Sequence, residues 1–251
     1  MHKKIILVVI SFLSCVPFLH AQKLGLSVQA SINYPYIPSL TTPKEYPVHY
    51  PVGTGYVEIT NGGNSYGQSQ ELYDCYTGEE IGINAEYTIK GNLFLKTGVD
   101  LSLVRFKRTI IVIPLEGNKF KNNSDYYPNV GKTSIMYVDI PLGVGYRFFR
   151  KKLSIGLGCN VSFIAYSEQH VRKLYTGYYV GYGPEEKDKS SDGLNNTTFS
   201  PYAEASWLFF KKFSVFGRYS HQLNPIFDKD NQYAGKARLQ LFEMGLGYQF
   251  L

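Results

Sequence analysis

The feature that most constrains this chain is a two-residue alternation of apolar side chains, held for about ten residues at a time and repeated along the sequence. Side chains on a strand point alternately to two faces, whereas a helix repeats every 3.6 residues, so the pattern predicts strands. Eight segments carry it: 23–33, 80–90, 93–103, 136–148, 153–163, 199–209, 213–220 and 242–250. In the third, Leu93, Leu95, Val99, Leu101 and Leu103 alternate with Lys96, Gly98, Asp100 and Ser102. The connections alternate too. Lys90-Gly91-Asn92, Phe149-Arg150-Lys151-Lys152 and Phe210-Lys211-Lys212 are tight turns, and the links between are long, the first running from Tyr34 to Glu79. Such a meander has short turns at one rim and long loops at the other.

Two barrels share this plan: a soluble one with its apolar face inward and a membrane one with its apolar face outward. The second face decides between them. It carries Glu86, Lys96, Asp100, Asp139, Arg147, Glu204, Arg218 and Glu243, set among Gly82, Gly98, Gly143, Gly145, Gly156, Gly158, Gly245 and Gly247. A water-facing surface would hold more charge and fewer glycines; charged residues are 18% of the chain, against about 25% in ordinary soluble domains. A narrow lumen needs small residues and charges of opposite sign that pair. The expected fold class is therefore all-β, an eight-stranded antiparallel up-and-down transmembrane β-barrel with long extracellular loops. The eight charged residues are expected to share one interior polar network. Tyr87, Tyr146, Phe148, Phe149, Phe209, Phe210, Phe213, Tyr248 and Phe250 gather at strand ends, as an aromatic girdle at the periplasmic interface would.

Residues 1–21 have the form of a secretory signal peptide, with His2-Lys3-Lys4, an apolar run from Ile5 to Leu19 and Ala21 at the cut. Residues 22–251 would then be the outer-membrane barrel domain. Loss of Lys3 and Lys4 lowers the formal charge from +6 to +4, a mild excess without a basic run, which excludes nucleic acid as a partner. Cys75 and Cys159 stand in unrelated contexts and are not expected to pair. No His or Cys spacing fits a metal site, and no cofactor is expected.

Tyr137-Val138-Asp139-Ile140-Pro141-Leu142-Gly143-Val144-Gly145-Tyr146-Arg147-Phe148 resembles a strand of the PorT-like outer-membrane β-barrel proteins of Bacteroidetes, and the Ala21-Gln22 junction and the ending Gly245-Leu246-Gly247-Tyr248-Gln249-Phe250 are similar as well. The ending also resembles the aromatic-terminated signal read by the barrel assembly machinery, with Leu251 beyond the last aromatic. The resemblance implies a bacterial outer-membrane location and, as an alternative function, a part in protein secretion or assembly at that membrane.

Side chains fill an eight-stranded barrel, so no open pore is expected. The work would fall to the outer loops, where Tyr34, Tyr36, Tyr46, Tyr50, Tyr73, Tyr76, Tyr126, Tyr127, Tyr175, Tyr178, Tyr179 and Tyr182 concentrate. Tyrosine offers rigid amphipathic contact area for an extracellular or envelope protein partner; packing of the loops on themselves is the alternative. An enzyme is not expected: the stretch Arg218 to Asn224 faintly resembles the His-x-Ser-Asn of lipid A deacylases, but Leu223 stands where the serine would be. At about 2.5 Å of height per residue, Arg105 lies about 30 Å above Leu93, beyond an apolar band of roughly 25 Å. Arg105 and Lys107 are thus candidate contacts for lipopolysaccharide phosphates.

Overall fold

The computed structural model describes residues 24–38, 40–45, 50–52, 55–57, 66–114, 129–175, 181–189, 191, 193–227 and 237–250. The expected signal segment lies outside them, as do Tyr46, Tyr126, Tyr127, Tyr178 and Tyr179. The described residues form thirteen strands: β1 (Leu24–Tyr36), β2 (Leu40–Glu45), β3 (Tyr50–Val52), β4 (Gly55–Val57), β5 (Tyr66–Tyr76), β6 (Gly78–Lys90), β7 (Leu93–Pro114), β8 (Asn129–Phe148), β9 (Leu153–Tyr175), β10 (Gly181–Asp188), β11 (Thr197–Leu208), β12 (Phe213–His221) and β13 (Gln240–Gln249).

Eight of them close a ring. β1 pairs with β6, then follow β7, β8, β9, β11, β12 and β13, and β13 returns to β1 along Ser27↔Gln249 to Tyr36↔Gln240. Every pairing is antiparallel. Closure leaves no unpaired edge inside the ring, the condition for crossing a bilayer with strands. The outward face is apolar and exposed, as at Ile81, Ile83, Leu95, Leu101, Leu157, Met244 and Leu246. At the short-turn end the aromatic rings touch one another, Phe213–Tyr248 at 5.0 Å and Tyr146–Phe148 at 4.8 Å between centroids. A second ring of exposed aromatics marks the other end, with Tyr34, Tyr166, Phe199, Tyr219 and Phe242.

Three strands are much longer than the alternation suggests. β7, β8 and β9 have 22, 20 and 23 residues against 9 and 10 in β12 and β13. At about 2.5 Å of height per residue, roughly ten residues cross the apolar band and the outer halves stand clear of it. There β5 succeeds β6 as the neighbour of β7, β2 pairs with β5, and β10 pairs with β9. The result is a six-stranded outer sheet, β2–β5–β7–β8–β9–β10. The expected long loops are therefore partly strand, because extending a ladder satisfies backbone groups that an irregular loop would leave to water.

Two register shifts lie where the barrel meets this outer sheet. From Tyr76↔Arg105 to Glu80↔Ser102, β5 and β6 advance four residues while β7 advances three, a bulge near Thr77. Between β8 and β9, Met136 faces Tyr166 but Tyr137 faces Ile164, leaving Ala165 unpaired. Leu103 faces Met136 across β7 and β8, so both bulges sit at one height.

Candidate functional site

The lumen is organised around Arg218, whose side chain is 0% exposed. Register brings it two of its partners, since Arg218 stands opposite Glu204 on β11 and Glu243 on β13. Its Nε donates to Glu204 Oε2 at 2.9 Å and its Nη1 lies 3.1 Å from Glu243 Oε2. The far wall supplies Glu80 Oε1 at 3.1 Å and Asp100 Oδ2 at 3.7 Å from the same Nη1. Lys96 Nζ reaches both oxygens of Glu204, at 2.6 and 2.8 Å, so Glu204 bridges the two cations. Asn84 donates its amide to Asp100 Oδ1 and Gln29 Oε1, each at 3.1 Å. Asp139 stands opposite Asp100 on β7 and Ser162 on β9.

Aromatic rings fill the space between these charges. The Arg218 guanidinium lies 5.3 Å from the Tyr202 ring centroid and 5.7 Å from that of Phe216. A Cβ at Gly143 or at Gly158 would collide with the Tyr202 ring or its hydroxyl, which accounts for two of the lumen glycines.

Arg147 is apart from this centre. It pairs with Glu86 at 2.6 Å, donates to Thr88 at 3.0 Å, and lies 4.6 Å from the centroid of the buried Phe94 ring. The interior charges thus form two groups where one was expected, with Phe94 filling the barrel beside Arg147. Glu80 was not among the expected members. Its signal was its phase, two residues before Gly82 and four before Asn84.

Above the charged centre the interior changes character. Val104, Phe106, Ile135 and Tyr137 point inward from the long strands and are buried. Segments from the opposite half of the rim cover them, bringing Ile37, Leu194, Ile226, Phe227, Ala237 and Leu239 into one core. Phe106 meets Tyr73 and Phe227 edge-on at 6.1 and 6.3 Å. Asn195 pins the covering segments together, donating to the carbonyls of Pro225 at 2.6 Å and Phe227 at 3.0 Å. Tyr73 is packed against this core and Tyr76 is exposed, so loop tyrosines serve both packing and surface.

On the outer wall, Arg105 and Lys107 follow Leu103 on the outward face of β7. Arg105 lies 3.2 Å from Glu79 and also reaches the carbonyl of Thr77, and Lys107 is 3.6 Å from Asp74. On β9, Tyr166 donates to Glu168 Oε2 at 2.8 Å and His170 Nε2 lies 2.6 Å from Glu168 Oε1. The Tyr166 hydroxyl, with His170 beside it, holds the Glu168 carboxyl below the usual carboxylate range. Ser220 is buried in the lumen while Leu223 is exposed at the rim, so His221 has no serine partner from that stretch. Among the described residues no cluster of His, Cys, Asp and Glu has the geometry of a metal site.

An apolar outer wall, two aromatic girdles and a charge-paired lumen define a transmembrane β-barrel of the bacterial outer membrane. The family follows from the sequence: residues 41–228 match the outer membrane protein beta-barrel domain, and the chain belongs to that family. Solved structures similar to the chain include Ail, the attachment invasion locus protein of Yersinia pestis, at 10% identity over 91% of this chain and 98% of that one, with a TM-score of 0.38. Neisserial surface protein A is similar at 11% identity over 90% and 97%, TM-score 0.39. The outer membrane protease OmpT from Escherichia coli is similar at 12% over 91% and 95%, TM-score 0.38. No curated protein matches the chain. The eight-strand closure rests on the chain's own ladders.

Proposed function

We propose that this protein works from its outer surface as a closed barrel, and that no solute passes through its lumen. The observation that supports this most is the apolar core of Val104, Phe106, Ile135 and Phe227, which roofs the charge-paired interior. A solute would have to displace both the roof and the buried ion pairs below it. The outer sheet and its tyrosine-bearing segments then present a folded platform to the cell exterior, for structural or binding roles in the envelope. Purified protein in planar bilayers should give no steady conductance, and stepwise openings would overturn this reading. Protease added to intact cells should cut between Tyr34 and Glu79 and spare the Lys211-Lys212 turn; cleavage at Lys211 would reverse the orientation.

The resemblance of Tyr137–Phe148 to a PorT-like strand supports a second reading, a part in protein secretion or assembly. Deletion of the gene should then deplete a set of secreted proteins from the culture medium, and an unchanged set removes that role.

A further inference from the structure

Four basic side chains stand in one cross-strand row on the outer wall. Lys107 on β7 faces Lys132 on β8, Lys132 faces His170 on β9, and His170 faces Lys187 on β10. Directly opposed residues share a face and lie about 5 Å apart, and like charges so placed destabilise a sheet. Three fixed positive charges, with His170 adding a fourth when protonated, therefore span about 15 Å against their own repulsion. The acids nearby offset it only in part. Asp74 sits at one end of the row, 3.6 Å from Lys107, and Glu168 lies one outward position below, engaged by Tyr166 and His170 and within electrostatic reach of Lys187. Among the described residues Lys132 is exposed and no carboxylate pairs with it. Arg105, one outward position below Lys107, is held by Glu79 and the Thr77 carbonyl, on the opposite side of β7 from Lys132.

Height identifies the occupant. Lys107 lies fourteen residues beyond Leu93 at the short-turn rim, about 35 Å up, and Lys132 faces it at the same height. That places the row about 10 Å above the apolar band, in the headgroup layer, facing sideways into the leaflet. We infer that the Lys107–Lys132–His170–Lys187 row binds the phosphate groups of outer-leaflet glycolipid, lipopolysaccharide in this membrane. Ammonium groups donate charge-assisted hydrogen bonds to phosphate, and an anion lying along the row removes the repulsion between its members. This goes beyond the closed-barrel reading, since a conducting barrel with the same row would still hold lipid.

The test uses the full-length barrel in detergent with added lipopolysaccharide. Lipid retained per barrel should fall roughly fivefold or more in the Lys107→Gln, Lys132→Gln, Lys187→Gln variant, while the folded, fast-migrating gel band persists. Dephosphorylated lipopolysaccharide should be retained by the wild type no better than native lipid is by the variant. The single change Lys132→Gln gives a sign that a solvated basic stretch does not: it should raise the unfolding temperature without lipid and lower it with lipid. Equal retention by wild type and variant, full retention of the dephosphorylated lipid, or a Lys132→Gln shift of one sign in both conditions would each overturn the inference. Inorganic pyrophosphate bound as tightly as lipopolysaccharide would assign the row to a soluble anion and overturn the lipid assignment.

Discussion

The barrel and the outer sheet share strands but are built with opposite polarity. On β7, Lys96, Asp100 and Ser102 point inward and Leu95, Val99 and Leu101 outward; a few residues on, Val104 and Phe106 point inward and Arg105 and Lys107 outward. β8 repeats the exchange, with Asp139 giving way to Tyr137 and Ile135 inside, and Met136 to Ser134 and Lys132 outside. On these two strands the period of two does not break. What changes is the medium around the wall, lipid below and water above, and with it the face that must be apolar. The polarity of an alternating strand thus reports its local solvent, and the two bulges near Thr77 and Ala165 mark the level at which that solvent changes.

Arg218→Met leaves Glu80, Asp100, Glu204 and Glu243 without their shared cation and should cost about 3–5 kcal/mol in urea unfolding from bilayers. A loss near zero would mean that the interior is wet. Phe106→Ala should cost about 3 kcal/mol by removing the ring on which Tyr73 and Phe227 pack. Its effect should come with faster amide exchange confined to the outer sheet, and exchange spread through the barrel would show that the two regions are one unit.

A reciprocal pair sharpens the contrast. Val99→Lys, at mid-height on the lipid face, should cost about 2–4 kcal/mol, whereas Lys107→Val in lipid-free detergent should change stability by no more than about 0.5 kcal/mol. Similar costs would remove the solvent boundary. The smallest effect concerns Glu168. Because its carboxyl is held low, its stabilising contact is present above the ordinary carboxylate range and is lost as pH falls through the lowered value. Tyr166→Phe removes the leading cause and should shift the Glu168 titration upward toward the ordinary range, read by carboxyl-carbon NMR; an unmoved titration would assign the effect to His170.

The barrel strands were legible because lipid imposes a strict alternation, and the observed strands begin at the short turns within a residue or two of where it starts. The inward phase of Lys96, Arg147, Glu204 and Arg218 follows from the same rule. Glu80 is harder to read because it opens its segment, where the alternation can be followed on one side only. The outer core escaped for a different reason. Val104 and Phe106 continue the phase of Lys96 and Asp100, but as apolar residues on the polar face they read as the end of the pattern and not as its inversion. Their partners Leu194, Ile226 and Leu239 come from irregular segments far along the chain, and no local period announces a contact of that kind.

That roof is also tied to the seam of the ring. Ile37 directly follows the first strand of the ring and Leu239 directly precedes the last, so the seam where β1 meets β13 runs up into the outer core and brings the two together there. With that seam open, the cap would lack the side that Ala237 and Leu239 supply beside β13. The same pairing of β1 with β13 thus closes the wall of the cylinder and completes its cork.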